Sequence, residues 1–292
     1  MRIWLRAVRP RSLTASIVPV LIGTLLAARE VFRPAAFLAA LIASMAIQIG
    51  TNLANDYYDY RQGLDASRSL RPDMTIQTGE LRADALLRGA AAAFALALLL
   101  GLFLIWQAGL PVLWLGCAGA FAGYAYTANP FKLGYRALGE LLVFVFMGPV
   151  IVEGAYYVQT HHWSVTAVLA ALPIALLVTA ILHANNLRDM DDDLHSGKRT
   201  LANVFGRRFA VFELRLLVLG AYPVLIALLL TRIVTWGAVL SLLTLCSAWR
   251  IARQAEQECE LSAQNRLLAG TARLHFHFGL LLSLGILIGR LL

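Results

Sequence analysis

The sequence predicts an all-α, polytopic membrane protein with about nine transmembrane helices. Three observations predict it. Of 292 residues, 59% are hydrophobic and 14% charged, and the mean hydropathy is +0.69; soluble domains sit at roughly 45–50% apolar and about 25% charged. Apolar runs recur at about 18–25 residues, the length that crosses a bilayer core as a helix. The positive charge is also segregated along the chain, as the order of the elements makes plain.

The runs fall at 12–29, 35–60, 83–107, 109–128, 136–160, 163–190, 208–231, 233–250 and 268–290. Arg2, Arg6, Arg9 and Arg11 precede the first, which is itself near spanning length and so reads as a helix and not a short leader. Arg61, Arg68, Arg71, Arg82 and Arg88 follow the second, and Lys132 and Arg136 follow the fourth. Six cations from Arg188 to Arg215 follow the sixth, and Arg250, Arg253, Arg266 and Arg273 follow the eighth. Only Arg29, Arg33, Arg232 and Arg290 lie on the other side, a split of 21 to 4 among the 25 Lys and Arg residues. The positive-inside rule then places the N-terminus in the cytoplasm. The pI near 9.8 is therefore a topology signal, and nucleic-acid binding has no support. Cys117, Cys246 and Cys259 have no ligand spacing and read as packing and loop thiols.

Two stretches break the apolar pattern. NLANDYYDY (52–60) closes the second run, and NNLRDMDDDLHSGKRT (185–200) closes the sixth, so both end on the cytoplasmic face. Asn52, Asp56 and Asp59 repeat at the spacing of Asn185, Asp189 and Asp192, which hints at a duplication of helices 1–4 and 5–8 within a single domain, 1–292. Gln48, Asn52, Asn55 and Asp59 share one helical face, as do His183, Asn186, Asp189 and Asp193. Carboxylates gathered at the mouth of an apolar bundle repel one another and resist desolvation. A hard divalent cation resolves that conflict: Mg²⁺ takes one or two carboxylates and favours phosphate oxygens beside them. Arg61, Arg68 and Arg71 follow the first cluster, Lys198 and Arg199 follow the second, and Lys132 lies in YTANPFK (126–132). Acid pairs with basic loops beside them suit a diphosphate.

Each part has a plainer reading when taken alone. A cytoplasmic Arg or Lys sets topology, an Asp at a helix end is a solvated terminus, and His183 is a satisfied bundle histidine. Glu140 lies near the interface, where a carboxylate is cheap, whereas Glu153 is deeper. The combination of two stripes and basic loops on one side is what resists dismissal.

These motifs resemble the UbiA superfamily of intramembrane aromatic prenyltransferases over essentially the whole chain. That family has nine transmembrane helices, with NDxxDxxxD after the second and DxxxD after the sixth. Asn55, Asp56 and Asp59 match the first motif; Gly63 stands where its third acid belongs, and Asp65 follows two residues later in NDYYDYRQGLD. Asp189 and Asp193 match the second, with Asp191 and Asp192 as extra acids. The late acid, NNLRD with GKRTLA, and YTANPF followed by LGYRALGELLVFVFMGP are similar to the 1,4-dihydroxy-2-naphthoate branch.

The resemblance implies transfer of a polyprenyl group from polyprenyl diphosphate to an aromatic acceptor, with loss of CO₂ if that acceptor is the naphthoate. It implies Mg²⁺ held by Asn55, Asp59, Asp65, Asp189 and Asp193, with Asp56 among the catalytic residues. Diphosphate contacts fall to Arg68, Arg71, Lys132, Lys198, Arg199 and Tyr126, and Glu153, His183 and Asn186 are candidates on the acceptor side. The partners are then the diphosphate, the acceptor and the lipid bilayer, in a cell (inner) membrane with the site on the cytoplasmic side. A 4-hydroxybenzoate-type acceptor, a terpene cyclase of the same superfamily, and a divalent-cation transporter are the alternatives. Transport sites lie near the midplane on broken helices, whereas these acids cluster on one face.

Overall fold

The computed structural model describes residues 2–61, 79–127, 130–257 and 260–291. Among them there is no strand, only an isolated backbone bridge between Arg136 and Arg199. A short helix α1 (Arg2–Val8) leads through a 3₁₀ turn (Pro10–Leu13) into α2 (Thr14–Ala27), followed by α3 (Pro34–Arg61), α4 (Ala83–Ala108) and α5 (Leu110–Thr127). Helices α6 (Gly139–Val145) and α7 (Ile151–Thr160) are joined by a π turn (Phe146–Val150). Next come α8 (Val165–Ala170), α9 (Leu172–Arg188), α10 (Met190–His195), α11 (Leu201–Phe205) and α12 (Arg207–Leu230). A 3₁₀ segment (Trp236–Thr244), α13 (Leu245–Gln257) and α14 (Leu261–Leu291) complete the chain.

Every apolar run of the sequence finds a helix, but not every helix has the length expected. Five are long and apolar enough to cross a membrane, among them Pro34–Tyr58, Gly139–Thr160 and Arg207–Leu230, while Thr14–Ala27, Leu110–Tyr126 and Leu172–Arg188 are shorter apolar helices. The run at 163–190 is divided: α8 stops, and Pro173 opens α9, where its missing N–H costs nothing. The π turn surrounds Pro149, which cannot donate to the preceding turn and whose ring crowds the carbonyl four residues back. The eighth run begins as 3₁₀ and continues as α13 beyond Arg250. The loop helix α11 is opened by a capping box, Thr200 accepting from the Asn203 N–H while the Asn203 side chain accepts from the Thr200 N–H.

Apolar solvent gives helices no hydrophobic reason to associate, so close packing of small residues carries the bundle. Gly23 of α2 lies against the Val152 carbonyl of α7, and Gly148 against Ala175 of α9. Gly237 and Gly285 bring the 3₁₀ segment and α14 into backbone contact. A side chain at either would strike the other's main chain. Gly285→Val should therefore cost about 1–3 kcal/mol as overpacking, read as a lower melting temperature in detergent, whereas Gly116→Ala, with open space around it, should melt like the parent.

The two ends of the bundle are chemically different. At one, the α2–α3 connection meets the end of α7: the Arg33 N–H donates to Gln159 at 2.6 Å, the Tyr156 hydroxyl to Glu30 at 2.5 Å, and His162 lies 2.7 Å from Glu30. Those bonds, Tyr156 first, hold the Glu30 carboxyl below its usual range, and Glu30 in turn raises the His162 pKa above 6.5. The contribution of His162 is thus complete below its unfolded pKa and is lost as pH rises through the raised folded value; that of Glu30 is lost only on acidification below its usual range. His162→Ala should lower the melting temperature near pH 5.5 and have little effect at pH 9, as measured by melting across that series.

Candidate active site

The opposite end collects the motifs. The helix from Gly139 to Thr160 runs 22 residues, about 33 Å at 1.5 Å per residue. Its last turn meets the Glu30 loop, and its first turn meets the C-terminal half of α9, where Asn186 Nδ2 donates to Glu140 at 2.9 Å. The end of α9 therefore lies at the far end from Glu30. So does the end of α3, because Asn52 Nδ2 donates to the Val8 carbonyl (2.9 Å) and to Ser12 (2.8 Å), ahead of α2. Both acid clusters share one end.

There three acids of the motifs, Asp56, Asp189 and Asp193, each have a cation. Arg9, in a left-handed conformation (φ 54°), donates to Asp56 at 2.5 Å. Arg188 holds Asp189 with two N–H bonds, 2.7 and 2.8 Å, and also donates to Asn185 and to Asn265 of α14. Lys198 Nζ donates to Asp193 at 2.8 Å, with the Asp193 side chain fully buried. Two-pronged Arg–carboxylate and buried Lys–carboxylate pairs are charge-assisted and directional. The chain ends α9 at Arg188 and restarts it at Met190, so Asp189 is a junction residue; its carbonyl still accepts from the Asp193 N–H at 2.8 Å. The stripe read from the sequence thus survives a break in the helix.

The basic loops are fixed by backbone pairing. Ala137 N–H donates to the Arg199 carbonyl and Arg199 N–H to the Tyr135 carbonyl, joining the loop before α6 to the loop after α10. Lys132 is left-handed (φ 43°), with its ammonium 5.4 Å from the Tyr135 ring centre. Gly134 and Gly139 leave room for the Tyr126 ring: a Cβ on Gly134 would sit 2.7 Å from it. Asn203 bonds the Lys198 carbonyl at 2.7 Å while closing the cap of α11, so it holds Lys198 from behind.

Sequence reasoning places other residues less well. Asn55 is half-buried on α3, and Asp59 is in its last turn with a side chain outside the description. Asp65, Arg68 and Arg71 lie outside the described residues. Glu153 does not join the acceptor side: its Oε1 accepts from the Ser164 N–H at 2.6 Å, at the Glu30 end of the bundle. His183 and Asn186 do come together, with Glu140 and, unforeseen, Glu213 of α12. Arg9 and Arg188 counted only as topology charges in the sequence, because nothing in their spacing shows which acid each will meet.

A family model described as the UbiA prenyltransferase family matches residues 16–277. The chain belongs to the UbiA prenyltransferase family. It is 35% identical over 284 residues to the 1,4-dihydroxy-2-naphthoate octaprenyltransferase of Bacillus subtilis (strain 168), covering 96% of this chain and 90% of that protein. It is 32% identical to the human UbiA prenyltransferase domain-containing protein 1, covering 97% and 82%. Its fold matches a UbiA homologue from Archaeoglobus fulgidus bound to GPP and Mg²⁺, with a TM-score of 0.65 at 17% identity over 96% of this chain and 99% of that one.

Because Asn203 ties Lys198 to the capped α11, Asn203→Ala should cost about 1–2 kcal/mol. Chemical denaturation in detergent measures it, and Asn203→Asp, which keeps the accepting oxygen, should recover part of the loss.

Proposed function

We propose that this chain transfers a polyprenyl group from polyprenyl diphosphate to 1,4-dihydroxy-2-naphthoate, with loss of CO₂, in an Mg²⁺-dependent reaction. The reading places the reaction at the cytoplasmic end of a multi-pass bundle, single-domain over 1–292, in the cell (inner) membrane. The observation that carries it is the set of carboxylate–cation pairs at one end of the bundle: Asp56 with Arg9, Asp189 with Arg188, Asp193 with Lys198. Support for the acceptor comes from the Bacillus subtilis relative, whose name specifies the naphthoate.

The pairs are a neutralised resting state. An arriving diphosphate would offer Arg188, Lys198, Lys132 and Arg199 a competing anion, along with Arg68 and Arg71, and Asp189 and Asp193, with Asn55, Asp59 and Asp65, are the residues that would hold Mg²⁺. When bound, Mg²⁺ supplies positive charge against the departing diphosphate. Asp56, held by Arg9, fixes the end of α3 that carries Asn55 and Asp59. The Tyr126 ring offers a face to positive charge on the prenyl carbon, and the apolar bundle keeps water from it. The C–O bond to diphosphate breaks, the carboxylated ring carbon bonds to the prenyl carbon, and loss of CO₂ returns the electron pair to the ring.

Membranes carrying the chain, given labelled polyprenyl diphosphate and the carboxyl-labelled naphthoate, should release labelled CO₂ together with prenylated product. Asp189→Ala should lower turnover by about 10²–10³-fold or more, as loss of preorganised charge does, with the protein still present in the membrane. Transfer to 4-hydroxybenzoate alone would displace the acceptor assignment, and near-parental turnover in Asp189→Ala would displace the metal site.

A further inference from the structure

Deeper in the bundle, a second group of polar side chains converges from three helices. His183 of α9 is fully buried, and its Nε2 lies 2.9 Å from the Ala210 carbonyl. A carbonyl can only accept, so Nε2 carries a proton. The other ring nitrogen, Nδ1, faces Glu140 Oε1 at 3.2 Å and Glu213 Oε2 at 3.6 Å. One ligand atom from each of Glu140, His183 and Glu213 falls within 4.8 Å of the others. Asn186 closes the group by donating to Glu140 Oε1.

The hydrogen bonding of this group does not balance. Glu140 Oε2, Glu213 Oε2 and Asn186 Oδ1 are all buried and accept no hydrogen bond among the described residues. Each is an acceptor, and the one ring of His183 is the ion-pair partner of both Glu140 and Glu213 among the described residues, one group facing two carboxylates. Buried acceptors normally have donors, and buried carboxylates normally have counter-charge. A ring whose far N–H is held by a backbone carbonyl, with its other nitrogen facing two carboxylates, has the usual posture of a metal-ligating histidine.

We propose that Glu140, His183 Nδ1 and Glu213, with Asn186 Oδ1 beside them, form a buried divalent-cation site. One imidazole nitrogen among carboxylate oxygens suits a borderline ion, Zn²⁺ ahead of Mn²⁺. His183 precedes Asp189 by six residues on α9, about 9 Å along the axis, so the ion is separate from any that binds diphosphate. It ties α6, α9 and α12 together beneath the acid clusters, as a structural staple.

The test is metal content of the full chain in detergent, loaded with Zn²⁺, exchanged against a mild chelator, and counted by mass spectrometry. The parent should retain about one ion per chain. His183→Gln and Glu213→Gln should each reduce retention by roughly tenfold or more, with Asp189→Asn retaining it. Co²⁺ added to the stripped parent should give visible absorption bands that Glu213→Gln lacks. A parent that retains no ion and gives no Co²⁺ bands overturns the site; so does a Glu213→Gln chain that retains Zn²⁺ like the parent. Parental metal content needs no variant to fold, and it is independent of prenyl-transfer activity.

Discussion

A carboxylate that this chain carries into its bundle needs positive charge or donors, because the surrounding solvent offers neither. That constraint explains why the acid-rich end is built of pairs. Asp193 is buried yet bonded by Lys198 five residues on; Asp189 is clasped by the preceding Arg188. Two of the three partnerships are local in sequence, so the second cluster arrives nearly pre-assembled when α9 and α10 form. Asp56 takes a distant partner, Arg9, and that pair closes the N-terminal segment over the end of α3. Under the proposed function, that hydrogen-bonded state is also one that a polyanion can rearrange, since the cations that pair with protein carboxylates would serve diphosphate oxygens equally well.

Holding those pairs in place needs a rigid frame, and here the small residues matter. Gly23, Gly148, Gly237 and Gly285 let backbones approach directly, which in an apolar solvent is the main source of helix association. The frame is not perfectly regular. The π turn at Pro149 lies between the two chemically distinct halves of one long helix, Glu140 at one end and Glu153 at the other. Left-handed Arg9, Lys132 and Ala137 all fall in the loops of the acid-rich end. Backbone of that kind costs about 1–3 kcal/mol per residue, and here hydrogen bonds such as Ala137 N–H to the Arg199 carbonyl hold it.

Much of this was legible in the sequence. Hydropathy and the recurrence of apolar runs pointed to a multi-pass helical bundle, and the acid motifs marked the end at which the paired carboxylates collect. Periodicity also grouped His183 with Asn186 on one face of α9, where both do meet Glu140. These features follow from local rules, since helix period, solvent preference and short-range spacing are properties of the chain before it folds.

Tertiary structure decided the rest. Glu153 and Glu140 sit on one helix, and depth in the sequence favoured Glu153 as the functional candidate, but the neighbours reverse that order: Glu153 takes the Ser164 N–H at the far end, and Glu140 joins a buried cluster. Glu213 drew no notice, for a single acid in a long apolar run carries no periodic signal, and its meaning comes from α12 lying against α9. The partner of each acid was equally hidden. Charge counting puts Arg9 and Arg188 on the same side as the acid motifs, yet an ion pair is set by approach within a few ångströms, which only the packing of α1, α3 and α9 fixes.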